Sequence, residues 1–357
     1  MIDFLVIGGG IAGLSVAARL AIHGKVTVLE AEKSVGHHAS GRSAALFEEN
    51  YGNAAVKALN KASAAYHKTA HGGVLSPRGL MLVGRAGEEA AFEDDVQNMH
   101  LTEISVTDAA GMIPILDTNI LTHAAYDAGA LDIDTDLLMQ NFARELRAHR
   151  GTIVTNAAVT SISRTDNGWQ VYAGEMYDAK VIINAAGAWV DQIAAMAGIP
   201  PLGFQPYKRS MARIPAPGGL DVSDWPMVFG VNEAWYAKPD AGALIVSPAD
   251  EEPVEPHDAW ADDMVLAEGL DGYSQHVTEP VTRLLASWAG LRTFAPDRAL
   301  VLGPSTQDDS FIWCAGQGGY GFATAPAASQ LVSDLVSGKP SELGSDIVAA
   351  LSPSRFA

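Results

Sequence analysis

Gly8, Gly10 and Gly13 follow the apolar run Phe4-Leu5-Val6-Ile7, and Glu30 follows the next, Val26-Thr27-Val28-Leu29. This is the spacing of a dinucleotide site. The first glycine permits a tight strand-to-helix turn, the second lets backbone approach a pyrophosphate, and the third lets helix and strand pack closely. Free amides at the start of a helix predicted from Ile11 to His23 would face the phosphates, where the helix dipole favours negative charge. Glu30 is placed to accept hydrogen bonds from the adenosine ribose hydroxyls. The same glycines in an unrelated sheet protein would form a plain turn. Strand, turn, helix, strand and acid in register favour the nucleotide.

The elements that must carry this site are readable from periodicity. Helices are predicted from Lys57 to Lys68, around Glu88 to Met99, from Thr107 to Met112, and within Ser274 to Ser287. Two more run from Leu137 to Arg150, behind the capping run Asp132-Ile133-Asp134-Thr135-Asp136, and from Ala325 to Ser337. Strands are predicted at Leu80 to Val83, Thr152 to Val154, Val181 to Asn184, Arg209 to Ile214 and Met227 to Val231. Others lie at Ala234 to Lys238, Ala243 to Ser247, Leu300 to Leu302 and Phe311 to Trp313, with a hairpin from Val159 to Tyr172 turning at Asp166-Asn167-Gly168. The expected fold is α/β (α+β overall), a Rossmann-like nucleotide-binding domain with an inserted, mainly antiparallel β-sheet substrate domain. Residues 1–80, 127–204 and 290–357 are assigned to the first domain, 81–126 and 205–289 to the second. A ligand belongs where the two meet.

The totals narrow the function classes. The 357 residues are 48% hydrophobic, enough for a substantial core. Lys plus Arg number 23 against 42 Asp plus Glu, a formal charge of −19 that repels phosphate backbones and anionic lipid. Nucleic acid is therefore not an expected partner; a small molecule is. One cysteine, Cys314, allows neither an internal disulfide nor a thiolate metal cluster. No apolar run is long enough to span a bilayer, and no charged leader precedes the first strand, so cytoplasmic residence is expected. The ten histidines show no metal-ligand spacing; His37 and His38 are expected beside the cofactor or solvent, and no metal is expected.

Four sets of residues then carry a resemblance. They are the glycine turn with Gly41-Arg42-Ser43, Asn184-Ala185-Ala186-Gly187-Ala188-Trp189, Trp288-Ala289-Gly290-Leu291-Arg292 and Gly318-Gly319-Tyr320-Gly321. Over nearly the full length their order resembles the FAD-dependent D-amino-acid oxidase family, and within it the D-arginine dehydrogenases. Further likenesses are Gly129 to Asp136, Asp224-Trp225-Pro226-Met227, Tyr236 to Gly242 and Ser247-Pro248-Ala249. The resemblance implies noncovalent FAD and oxidation of an amine next to a carboxylate, the hydride passing from Cα to flavin N5. Water hydrolyses the resulting imino acid to a 2-oxo acid and ammonia. The flavin supplies the chemistry, the protein position and field.

By resemblance the cofactor contacts are Gly8, Gly10, Ile11, Ala12, Gly13, Glu30 and Ala31, then Gly41, Arg42, Ser43, Ala44 and Ala45. Val159, Ala186, Gly187, Trp189, Arg292, Gly318, Gly319, Tyr320 and Gly321 complete the set. Amides between Gly316 and Gly321 are expected at the flavin pyrimidine edge, where negative charge develops on reduction. Arg42 fits either a cofactor donor or a surface ion pair. Arg209 and Arg292 are implied as the carboxylate clamp, since an arginine fork matches a carboxylate bidentately. Tyr51 and Tyr236 would bond the carboxylate or close the site. Leu46, Glu48, Leu80, Met227, Phe229 and Gly319 would line the substrate pocket.

The chain also departs from that pattern. Arginine-specific relatives place an acid after the Ser-Pro-Arg string; here Leu80 stands there, and Leu46 replaces a pocket histidine. A buried guanidinium without its acid is strongly disfavoured. The expected substrate is a D-amino acid with a neutral or apolar side chain, Phe229 replacing a smaller residue. Glu48, where a neutral threonine is expected, either holds a basic group or faces water with Glu49. The alternative is an enzyme of glycine or N-methyl amino acids such as sarcosine, with the same flavin and clamp. A nucleotide-binding module without turnover is disfavoured by the arginines and tyrosines, and an NAD-dependent dehydrogenase by the Gly-Arg-Ser and C-terminal glycine strings. Cys314 is expected as a buried free thiol, because the covalent cysteine of sarcosine oxidase relatives would fall near Gly290 or Leu291. The electron acceptor, whether oxygen, a quinone or another carrier, has no signature in these motifs.

Overall fold

A computed structural model describes residues 1–357. Its first sheet grows from the N-terminal strand Ile2–Ile7, which pairs in parallel with Val26–Leu29 on one side and with the C-terminal half of Glu175–Asn184 on the other. Val26–Leu29 continues in parallel to Thr152–Val154, and Glu175–Asn184 to Phe311–Ala315. The predicted hairpin, Ser161–Thr165 with Gly168–Ala173, and the strand Val301–Pro304 add antiparallel edges. These central strands are apolar at nearly every position because both faces are covered. Val6, Val28 and Ile183 pack with Leu331 and Val332 of the helix Gly321–Ser337, while Leu5, Ile7 and Ile182 pack with Val190 and Trp313.

The second sheet has nine strands and is antiparallel except where Leu80–Arg85 runs parallel to Met227–Gly230. Gln205–Pro215 lies near one edge and pairs along its length with Ala286–Phe294. Residue 290, the expected domain boundary, therefore falls inside a strand of this sheet. A third, small sheet joins Leu46–Phe47, Leu131–Ile133 and Leu75–Pro77, with Leu131–Ile133 in the middle. No helix is long and apolar enough to cross a membrane.

Several boundaries moved for identifiable reasons. Asp134 caps the helix Thr135–Ala148 by accepting from the Leu137 N–H at 2.8 Å, close to the predicted start. The helix expected within Ser274 to Ser287 instead lies at Asp263–Ser274. Asp262 caps it through the Met264 and Val265 amides, and Val277, Thr278 and Pro280 beyond it disfavour helix. The closing helix begins four residues early, at Gly321, and runs through Pro326. The strand Leu121–Asp127, unanticipated, pairs with Leu80–Arg85.

Candidate active site

The N-terminal turn is shaped by close approach. Gly8 has φ +107°, and a Cβ there would lie 2.3 Å from the Ala185 carbonyl oxygen. A Cβ on Gly13 would lie 1.9 Å from the Gly8 carbonyl oxygen. The Glu30 carboxylate is buried and held in place by the Gly9 and Glu32 N–H groups, which donate to its two oxygens at 2.8 Å each. Ser40, which sequence reading passed over, accepts the Ile11 N–H at 3.0 Å at the start of the helix Ile11–Leu20.

A cavity of about 370 Å³ opens beside this turn, and Gly8, Gly10, Glu30 and Ala31 form one wall. Val159, Ala186, Gly187 and Trp189 form the opposite wall. It shares Gly10, Ser40 and Arg42 with a second cavity of about 140 Å³, lined by Ile11, Ala12, Ser43, Ala44 and Ala45. Gly318, Gly319, Gly321, Arg209 and Arg292 close that second cavity. The predicted cofactor residues thus trace one path from Glu30 to Arg292. Gly13 and Gly41 lie outside the lining; their work is packing, since a Cβ on Gly41 would meet the Gly36 carbonyl oxygen. Tyr320, expected on the cofactor side, instead lines the substrate cavity, its ring 5.4 Å from that of Tyr51.

Arg42 is engaged by the protein itself. Its Nη1 donates to the Ala259 and Ala289 carbonyls at 2.7 and 2.8 Å, and its Nη2 to Asp258. It thereby ties the 258–259 segment and the strand Ala286–Phe294 across the cavity. Glu32, His37 and His38 converge at the rim, where His38 Nε2 and Glu32 Oε1 are 3.0 Å apart. Cys314 is buried, and burial pushes its thiol up to about 12.

The two arginines meet through sheet register. Arg209 pairs with Gly290, which places Arg292 diagonally on the same face, while Lys208 points away to Glu252 at 2.6 Å. Gly318, at φ +50°, packs against Phe294, and a Cβ on Gly319 would stand 3.1 Å from Arg292 Nη1. Arg209 is buried with Nε and Nη1 unpartnered, its Nη2 reaching Glu251 only at 3.5 Å. Burial, then the charge of Arg292, lowers its pKa. Burial also opposes the charge on Arg292, but Tyr236, Tyr51, Glu233 and Glu251 outweigh it and leave its pKa raised. A buried and a half-buried guanidinium on one face, neither with an ideal partner, are a receptor for an anion.

The substrate-side cavity, about 110 Å³, brings together all six predicted pocket residues, Leu46, Glu48, Leu80, Met227, Phe229 and Gly319. Tyr51, Tyr236 and Arg292 line it too, whereas Arg209 reaches only the adjoining cofactor-side cavity. Tyr236 Oη lies 3.3 Å from Met211 Sδ. Tyr51 Oη donates to Glu233 at 3.1 Å, and burial followed by the Glu233 charge raises its pKa. Glu233, Asn60 and Met99 were not anticipated. Glu233 follows Asn232 in a turn where both have positive φ, 58° and 53°, and the Asn232 N–H is held by Asp95 at 2.8 Å. Local sequence announces left-handed Asn but not left-handed Glu, so no signal marked it. Beyond lies a polar vestibule of about 470 Å³ bounded by Glu233, Glu251, Arg298 and Tyr320.

Residues 3–335 match the model of the DAO family, described as FAD dependent oxidoreductase. The chain belongs to this family. It is 24% identical to the glycine oxidase of Pseudomonas putida, over 94% of each chain. It is also 24% identical to mouse mitochondrial dimethylglycine dehydrogenase over 95% of its own length, but spans only 43% of that relative. Several other curated relatives are likewise longer than the matched chain. Among solved structures, L-proline dehydrogenase from P. horikoshii superposes with a TM-score of 0.84 at 22% identity, covering 99% and 97% of the two chains. The Rossmann-like fold with its antiparallel second sheet is thus that of the family, and FAD is its cofactor. The residues present fit that cofactor: Glu30 and the Gly8 turn at one end, the buried unpartnered Thr293 Oγ1 and the glycine turn at the other.

Proposed function

We propose that this chain oxidises an amino acid at the carbon bearing its amine, with Arg292 and Arg209 receiving the carboxylate. The observation that carries the reading is the buried Arg209 guanidinium, with two nitrogens unpartnered and a third at 3.5 Å from Glu251, on the same sheet face as Arg292, which makes no hydrogen bond within the chain. Bound FAD supplies the acceptor for the hydride leaving Cα, after which water converts the imino acid to a 2-oxo acid and ammonia. Arg292 orients the carboxylate in the substrate cavity, Tyr51 is held by Glu233 at its side, and Tyr236 adds a second phenol. Leu46, Leu80, Met99, Met227 and Phe229 exclude water from the side-chain end. That lining supports a neutral or apolar side chain, and the D configuration rests on the resemblance of the site strings. Anaerobic addition of D-, L- and N-methyl amino acids tests this: D-norvaline or a similar neutral D-amino acid should bleach the flavin fastest. Best turnover on L-amino acids would refute the stereochemical assignment.

The second reading is glycine or an N-methyl amino acid such as sarcosine. It is favoured by the small cavity volume and by relatives named for glycine and dimethylglycine. Fastest bleaching by glycine or sarcosine would establish it over the first. Noncovalent FAD is expected in either case, and no thioether can form, because the chain's single thiol, Cys314, is buried in a strand with the Ala12 carbonyl and Gln317 as its polar contacts. Acid precipitation should therefore release all yellow colour into the supernatant; colour retained in the pellet would contradict this.

A further inference from the structure

Glu48 is the one acid among the apolar walls at the side-chain end, and its surroundings are unusual. It follows the strand Leu46–Phe47 of the small sheet and is 7% exposed. Its carboxylate accepts the Asn50 N–H at 2.8 Å, and its other neighbour is a second carboxyl, Asp127, within hydrogen-bonding reach. Asp127 closes the strand Leu121–Asp127, directly opposite Leu80 in register, and accepts the Gly129 N–H at 2.8 Å. No Lys, Arg or His nitrogen comes within 4.0 Å of either carboxyl. Around them, Glu49 is paired with Lys68 at 3.7 Å, and Asp132 with Arg78 and Lys238 at 2.7 Å each. From the facing helix Lys57 donates to the Asn98 carbonyl, while Tyr51, Tyr236, Glu233 and Arg292 occupy other parts of the cavity lining.

Asn60 supplies an independent sign of a ligand. It is 1% exposed and lines the same cavity. Its Nδ2 donates to the Glu48 and Tyr51 carbonyls at 3.2 and 3.1 Å, yet its Oδ1 is buried with no donor. A buried acceptor without a partner is satisfied when an occupant brings an N–H or O–H.

Resting on the amino-acid reading above, we infer that Glu48 and Asn60 form a subsite for the tip of the substrate side chain, with Asp127 a neighbour of Glu48 outside the cavity lining. While the buried Glu48 carboxyl, which has no cationic partner in the chain, keeps its proton the subsite takes an uncharged tip, and after losing it the same subsite takes a cation. A buried carboxyl with no cation beside it and an acid for a neighbour ionises only at a cost, so its proton is retained until a cation replaces it. Burial first, then Asp127, pushes the Glu48 carboxyl up to about 7, which sets the changeover near neutrality. Raised affinity for an apolar side chain therefore belongs to the acid side of that value, and for a cationic one to the alkaline side.

The test compares D-ornithine with D-norvaline as anaerobic reductants of the holoenzyme between pH 6 and 8. Both α-amines are mostly protonated there, so their own titration cancels in the ratio of kcat/KM values. That ratio should rise roughly tenfold per pH unit in the unmodified enzyme. It should become flat and favour norvaline in Glu48→Gln, and its rise should move to lower pH in Asp127→Asn, which removes the neighbouring acid that favours the proton on Glu48. Flavin spectrum and Tm establish that each variant is folded. A flat ratio in the unmodified enzyme, or an unchanged slope in Glu48→Gln, overturns the subsite. No flavin reduction by either amino acid at any pH overturns the parent reading and the subsite with it.

Discussion

Replacing Arg292 with methionine should raise KM for the amino acid by roughly 100- to 1000-fold while leaving the flavin spectrum intact. The magnitude is that of removing one partner from a desolvated, hydrogen-bonded charge pair, ~3–4 kcal/mol. Methionine preserves most of the side-chain volume, so the Gly318–Gly319 turn packed against this strand should hold its shape. Stability should change far less than KM, falling slightly if at all, because the fold favours the Arg292 charge through Tyr236, Tyr51, Glu233 and Glu251. Arg292 makes no hydrogen bond within the chain, and its charge depresses that of Arg209 on the same face. A residue whose loss moves KM far more than Tm acts on the ligand rather than on the fold. Lysine at 292 should rescue little, since an ammonium lacks the planar fork. Unchanged KM in Arg292→Met, measured by stopped-flow flavin reduction, would remove the clamp from the mechanism.

Gly13→Ala should yield a protein largely free of FAD, rebinding it at least ~100-fold more weakly. Local chemistry argues the other way: Gly13 is in a helix, where alanine is better by about 1 kcal/mol. Tertiary geometry overrides that preference. The added Cβ would sit 1.9 Å from the Gly8 carbonyl oxygen, a backbone atom that cannot swing aside. Relief requires the turn to open, which moves Gly8 from its place against Ala185 and carries the helix N-terminus away from the cofactor cavity. Absorbance at the flavin band against protein concentration reads the outcome directly. A Gly13→Ala protein purified with stoichiometric FAD would show that the close packing is dispensable.

Much of the site was legible because its demands are local. Gly8 needs a backbone conformation that side chains resist, and Asp134 caps the amide three residues away. The apolar runs at Leu5 to Ile7 and Ile182 to Asn184 are strands because both faces are buried. The family strings extended this to pocket residues, and all six came to one cavity. Contacts between distant segments were not legible. Arg42 gave no hint that its acceptors would lie at residues 258, 259 and 289. Glu233 becomes a pocket group only through a left-handed turn pinned by Asp95. The helix expected roughly three turns too late had its cap, Asp262, in plain view.

From the amino-acid order alone came a dinucleotide turn, an α/β frame and a cluster of strings pointing to a flavin, because backbone conformation and apolar periodicity are properties of short segments. Folding decided which carboxyl faces which. Glu48 and Asp127 are 79 positions apart in the numbering, and Arg209 and Arg292 share a face only through the pairing of Arg209 with Gly290. Charge coupling acts through space, over a few ångströms and with water removed, so it exists only once the chain has closed on itself.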